Sequence, residues 1–320
     1  MARCVALLAL AGLILLSACT RKDDSNATSQ SLESRRYTVG VTLLTKQHPF
    51  YQELESAMRE EAQKQNLELL IQSAEFNLAD QTAQVENFLT RGVNALIICP
   101  VDSAGIEGAV KKANEAKVPV FTADIAAQGG EVVCHVASDN VQGGRLAGEY
   151  LAKLLNGKGK VVIIDHPVVT SVQDRTKGFM EAISKYPDIQ VVDRPPGDGV
   201  RDKAMAVTET MLQKHPDLAG IFAINDSTAL GALKAVESMG RTSVVIVGYD
   251  GDPEARREIL RGSALKADAV QFPRKIGATV VEMVARHLRG ETVPKLVPIP
   301  CDIIDREKLQ AEEGASQSGS

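Results

Sequence analysis

The sequence predicts an α/β protein of two Rossmann-like domains, each a parallel sheet flanked by helices. Three observations lead there. From Tyr37 onward, short β-rich runs alternate with amphipathic segments, the rhythm of parallel sheets connected by crossover helices. The strands are too many for one open twisted sheet, and 320 residues at about 150 per domain give the same count of two. The chain also echoes itself. Ile97-Ile98-Cys99-Pro100-Val101-Asp102-Ser103 introduces a helix and then a strand ending at Asp124, and Phe222-Ala223-Ile224-Asn225-Asp226-Ser227 introduces a helix and then a strand ending at Asp250.

Each element has its local reason. Tyr37–Leu44 is apolar and β-rich, and Pro49 then opens a helix to about Gln65, as proline does in a first helical turn. Strand 67–72, helix 80–91 and strand 95–99 follow, the last a continuous apolar run of the kind buried on both faces. A helix over 103–116 is capped near Asp102-Ser103, and strands 118–122 and 132–136 complete the first half. The second half reads as helix 142–155, strand 160–164, helix 171–186, strand 189–193, helix 201–215, strand 219–224, helix 227–239 and strand 243–248. It ends with helix 253–261, strand 264–270, helix 272–289 and strand 301–304.

Composition narrows the class. The chain is 44% hydrophobic and 24% charged, which excludes a disordered chain, a collagen and a multi-span membrane protein. A formal charge of -5 argues against nucleic acid as a partner. Two of the five cysteines, Cys4 and Cys19, fall in the first nineteen residues. There Arg3 precedes the apolar run Val5–Leu16, too short to span a membrane but the length of a signal-peptide core. The run ends in Leu16-Ser17-Ala18-Cys19, which resembles the lipobox of bacterial lipoproteins. Residues 1–18 are thus expected to be a removed signal peptide and Cys19 a lipid attachment point, with several acyl chains holding the chain on a membrane. Residues 19–36 are polar and aperiodic, the composition of a flexible stalk, and 311–320 read as a disordered tail. The other cysteines, Cys99, Cys134 and Cys301, are odd in number and show no CxxC, so they form no disulfide framework. Cys134-His135 reads as strand packing rather than a metal pair.

Most familiar catalytic chemistry is absent. The first strand is followed by Leu44-Thr45-Lys46-Gln47-His48-Pro49, with no phosphate-binding glycine loop, and neither GxSxG nor HExxH occurs. Gly143-Gly144 is better read as allowing close helix packing than as a nucleotide turn. Asp250-Gly251-Asp252 reads as one ligand-facing aspartate and one helix cap before Pro253, against the alternative of a metal or phosphotransfer pair. What remains suits a small polyhydroxylated ligand at the carboxyl edges of the strands, where open α/β sheets bind. Phe50 and Tyr51 offer apolar faces, unless one of them is spent on helix packing, and Asp124 and Asp250 offer acceptors. At roughly 1.5–3 kcal/mol per hydrogen bond to a charged group, four such bonds suffice for micromolar affinity after association costs.

From Tyr37 to about Leu309 the chain resembles the type I periplasmic sugar-binding proteins of ABC importers, the ribose- and galactose-binding group. The matching motifs run in order: His48-Pro49-Phe50-Tyr51, Pro100-Val101-Asp102-Ser103, Thr122-Ala123-Asp124, Val136-Ala137-Ser138-Asp139-Asn140, Asn225-Asp226, Val247-Gly248-Tyr249-Asp250-Gly251 and Gln271-Phe272-Pro273. The resemblance implies a three-segment hinge near Ser138-Asp139, Gln271 and Cys301, with residues 37–138 plus 272–300 forming the N-terminal domain and 139–271 plus 301–310 the C-terminal one. It places ligand contacts on His48, Phe50, Tyr51, Cys99, Asp124, Ser138, Gln173, Asn225, Asp250 and Gln271. Four positions depart from a ribose site: Ile125 and Gln173 stand where ribose binders have arginines, Arg175 being near enough to restore the second. Cys99 stands for an asparagine and Gly199 for an aromatic.

The function expected is capture of a monosaccharide or related polyol by hinge closure and delivery to an ABC permease. The protein would be a monomer in the periplasm or on the outer face of the cell membrane, anchored by lipidated Cys19, with neither cofactor nor metal. Within the same fold the alternative is a ligand-sensing receptor that feeds a signalling partner. A transcriptional regulator of the lactose-repressor type would need a helix-turn-helix before Tyr37, where a signal and stalk stand instead, and no nucleophile–base pair favours an enzyme.

Overall fold

The structure is a computed structural model describing residues 36–318, with side-chain surroundings described to residue 315. The expected signal peptide, Cys19 and nearly all of the stalk lie outside the described residues. Two six-stranded sheets make up the fold. The first holds β1 (Tyr37–Leu43), β2 (Leu67–Ser73), β3 (Ala95–Ile98), β4 (Val120–Ala123), β5 (Cys134–Ser138) and β11 (Leu296–Ile299), ordered β11-β5-β4-β3-β1-β2. The second holds β6 (Lys158–Ile164), β7 (Asp188–Asp193), β8 (Leu218–Ala223), β9 (Val245–Asp250), β10 (Leu265–Val270) and β12 (Asp302–Asp305), ordered β12-β10-β9-β8-β6-β7. All neighbours are parallel except β10 and β12.

Strand β3 shows why the sheets need cover on both sides. Ala95 and Ile97 join the core formed with α1 (Pro49–Lys64) and α9 (Pro273–Leu288), whereas Leu96 and Ile98 join Val85 and Phe88 of α2 (Leu78–Thr90) and Val110 of α3 (Glu107–Glu115). Successive strand residues face opposite ways, so an unbroken apolar run is what two covered faces demand. In the second lobe α4 (Asn140–Leu154) and α5 (Thr170–Ile183) cover one face, and α6 (Arg201–Lys214), α7 (Asp226–Ser238) and α8 (Pro253–Arg261) the other. A Cβ on Gly144 would lie 1.9 Å from the Arg175 carbonyl oxygen, and one on Gly178 the same distance from that of Val141. Gly144 therefore serves the contact of α4 with α5, while Gly143 leaves room for Tyr249 and Cys301.

Several boundaries differ from the sequence expectation. Helix α3 starts at Glu107 rather than Ser103 because the Asp102 carboxylate accepts from the Ala104 and Gly105 amides at 2.9 and 2.7 Å, stabilising a turn instead. Strand β11 is missed in the sequence because its Pro298 obscures the β pattern; proline is tolerated there on a sheet edge. Residues 311–318, where the composition leads to the expectation of a disordered tail, continue α10 (Arg306–Ser318). Buried Leu309 roots that helix in the second core, and Glu312 pairs with Arg256 at 3.0 Å. Cys99, Cys134 and Cys301 are buried free thiols.

A candidate ligand site between the two lobes

The cleft aspartates owe their places to chain reversal at the strand ends. Asp124 directly follows β4 and Asp250 ends β9, and both adopt positive φ, 64° and 119°. Non-glycine residues rarely do so, at a cost of about 1–3 kcal/mol each, and such strain collects at binding sites. Together they border a small cavity of about 50 Å³ between the lobes.

In the first lobe the Tyr51 hydroxyl donates to Asp124 Oδ2 at 2.6 Å, while Asp124 Oδ1 is buried without a hydrogen-bond partner. Burial raises the Asp124 carboxyl to about 6, opposed by Arg175 and by the Tyr51 bond. The Tyr51 hydroxyl is pushed well above its ordinary range, by burial first and by Asp124 second. Phe50 meets Tyr51 edge to face, with ring centroids 5.2 Å apart. Both rings belong to the core cluster and both line the cavity, so packing and ligand contact are not alternatives here.

In the second lobe Asp250 is held from several sides. Gln271 Nε2 donates to Oδ1 at 2.6 Å, Arg175 Nη1 lies 3.6 Å from the same oxygen, and His48 Nε2 lies 3.5 Å from Oδ2. Arg175 is almost fully buried, stacks 4.0 Å over the Tyr249 ring and donates to Asn140 Oδ1 and the Ile224 carbonyl. His48 caps α1, its Nδ1 accepting from the Phe50 amide, and burial lowers its pKa against the pull of Asp250. Asn225 caps α7 through Oδ1 and turns its amide nitrogen toward His48 at 3.5 Å. His48, Asp250 and Asp252 bring ligand atoms within 4.8 Å of one another, but the Arg175 guanidinium already supplies the positive charge beside Asp250, so the set does not suit a metal.

Seven of the ten expected contact residues, His48, Phe50, Tyr51, Asp124, Asn225, Asp250 and Gln271, line the cavity. Three do not. Gln173 is exposed and bonds the Pro167 carbonyl, because with α5 starting at Thr170 the inward positions are 171, 172 and 175. Arg175, the alternative to Gln173 in the sequence reading, is the arginine that lines the cavity. Cys99 is fully buried in the first core with Tyr51 and does not line the cavity, so the structure places it in packing where the resemblance implies a ligand contact. Ser138 acts one step back: its hydroxyl donates to Gln271 Oε1 at 2.7 Å, so β5 of one lobe holds the residue that orients Asp250 of the other. Phe76, His166 and Ser171 line the cavity and were missed, since each sits in a loop or a first helical turn without a periodic signal.

The cleft lips touch. Ser103 donates its amide to the Val168 carbonyl at 3.1 Å, the Thr170 amide donates to Ser103 Oγ at 3.0 Å, and Thr170 Oγ1 accepts from the Ala126 amide at 3.0 Å. The lobes are therefore closed on one another.

Two α/β lobes, crossovers between them and opposed carboxylates in a closable cleft define a ligand-binding protein of the hinged type. The chain belongs to the family of the periplasmic binding protein domain, whose model matches residues 39–292. It is 35% identical to the ribose import binding protein of Salmonella typhimurium over 283 residues, 88% of this chain and 95% of that protein. It is equally 35% identical to the ribose import binding protein of Bacillus subtilis over 302 residues, 94% of this chain and 98% of that one. An ABC transporter solute binding protein from Mycobacterium smegmatis, solved with bound glycerol, superposes with a TM-score of 0.82 at 34% identity, covering 87% of this chain and 96% of that one. The fold is that of type I periplasmic binding proteins. Family membership makes the chain a binding protein rather than an enzyme and places it outside the cytoplasm. Among the described residues no helix is long and apolar enough to cross a membrane.

Proposed function

We propose that this protein captures a monosaccharide or related polyol in the cleft and presents it to an ABC permease, tethered to the membrane as a monomer by lipid on Cys19. The lobes formed by residues 37–138 with 272–300 and by 139–271 with 301–310 hinge about the three crossovers, and ligand shifts the population toward the closed form the permease distinguishes. The observation that carries the reading is the unpartnered Oδ1 of Asp124, a buried carboxylate oxygen on a residue that lines the same cavity as Arg175, Asp250, Phe50 and Tyr51. A ligand hydroxyl is the donor it lacks. The ribose specificity of the two import relatives and the glycerol bound to the mycobacterial one support a hydroxylated ligand.

Calorimetry of the folded protein against D-ribose, D-allose, myo-inositol, xylitol and glycerol tests this. At least one is expected to bind at micromolar Kd or tighter, and silence across the panel overturns the sugar assignment. Metabolic labelling with an alkynyl fatty acid, lost on Cys19→Ser, tests the anchor.

A further inference from the structure

Behind Asp250, and out of reach of any ligand, lie two more carboxylates. Asp226 opens α7 and Asp268 sits mid-strand in β10, both with 0% exposure. Asp226 Oδ1 and both oxygens of Asp268 have no hydrogen-bond partner of the ordinary kind. A Cβ built on Gly248, the residue opposite Asp268 in β9, would stand 2.2 Å from Asp268 Oδ1 and 3.1 Å from Asp226 Oδ1, so the two carboxyls converge over that glycine. Two dry carboxylates this close cannot both be ionised.

We propose that Asp226 and Asp268 share one proton and that this protonated pair is the positioning element of the binding loop 250–252. The Asp226 amide points to Asp250 Oδ2 at 3.5 Å, and Asp226 Oδ2 accepts from the Asp252 amide at 2.6 Å. One aspartate therefore holds both ends of the turn in which Asp250 takes its φ of 119°. A proton on the pair turns an orphaned oxygen into a donor and leaves Asp226 Oδ2 free to keep the Asp252 amide. Loss of that proton places two negative charges beside Asp250 and repels the loop.

The surroundings favour the shared proton. Burial raises both carboxyls; Asp268, Asp252 and Asp250 push Asp226 further up, and Asp250 pushes Asp268 up, while the contact with Asp226 offsets part of the rise in Asp268. Asp252 is itself pushed up to about 8 by burial and Asp250. Opposing cations are Arg256 of α8, which faces Asp268, and Arg201 of α6, which faces Asp226 and Asp252 but is bound bidentately to Glu254. Across the other edge of β10, β12 opposes Asp268 with Ile304. Helix α4 packs on the opposite face of β10, with Ala267 and Ala269.

The test is the ligand-free full chain, melted by calorimetry from pH 6 to pH 9.5, beside Asp268→Asn. Asparagine donates to Asp226 permanently and carries no proton to lose. Because the folded pKa of the pair is raised, the stability it contributes is lost as pH rises through that value, so the wild-type melting point is expected to fall by about 5 °C more than that of Asp268→Asn. Parallel profiles overturn the proposal. If the variant does not fold, carboxyl 13C titration of the wild-type protein decides: one proton retained between Asp226 and Asp268 at pH 7 supports it, and two ionised carboxylates overturn it. With D-ribose as probe, affinity is expected to drop about tenfold from pH 7 to 9.5 in the wild type and to hold in Asp268→Asn. The melting and titration readouts use no sugar, so they stand whether or not the sugar assignment does.

Discussion

Asp124 and Asp250 stand at equivalent edges of the two sheets, both in the left-handed region of φ, yet they are prepared for a ligand differently. Asp250 is engaged by Gln271, Arg175 and His48 before any ligand arrives. Asp124 has Tyr51 alone as a close donor and one oxygen with nothing. The second lobe therefore presents a preorganised acceptor, whereas the first presents one that only a ligand completes. Duplicated backbone geometry does not imply duplicated electrostatics.

The largest effect comes from breaking the preorganised side. Asp250→Ala leaves the almost fully buried Arg175 without its close counter-charge, which costs about 3–5 kcal/mol of stability; a lower melting point and a more than hundredfold loss of affinity, by calorimetry, are expected. Asp124→Asn is expected to act in opposite directions on the two measurements. The carboxyl is raised from 3.8 to about 6 in the folded chain, so ligand-free stability is fullest below 3.8 and about 3 kcal/mol of it is lost as pH rises through 6. The substitution removes that loss and raises the ligand-free melting point at pH 7, while weakening sugar binding by about 10- to 100-fold. In the wild type, affinity is expected to fall as pH drops from 7.5 to 5, because protonated Asp124 has one acceptor fewer.

A smaller change tests the closure on which both aspartates depend. Thr170→Val removes the acceptor of the Ala126 amide across the lips, worth about 1 kcal/mol, and is expected to speed ligand release about fivefold in stopped flow. Smallest of all, Gln173→Ala, on an exposed side chain, is expected to change affinity less than twofold; a larger loss would restore Gln173 in place of Arg175 as the cleft residue.

Legibility followed the physics of each signal. The alternation of strands and helices, the echo of Asp124 in Asp250 and the glycine pair of α4 were readable because periodicity and chain reversal act locally. Between Gln173 and Arg175 the sequence leaves a choice because a two-residue slip at a helix start decides which side chain faces the cleft, and the start of α5 at Thr170 turns Arg175 toward it. Cys99 was drawn into the site by its position after β3, while its side chain turns into the core.

By itself, the sequence determined the two α/β halves, the carboxylates at their sheet edges and the aromatic pair beneath them, since these rest on local pattern and spacing. Tertiary structure alone decided which distant residues share a hydrogen bond: Ser138 with Gln271 and Thr170 with Ala126 across the lobes, and Asp226 with the Asp252 loop within the second. Such partners lie 26 to 133 residues apart along the chain. No local propensity encodes their meeting; it follows from how the two sheets pack and how the lobes close.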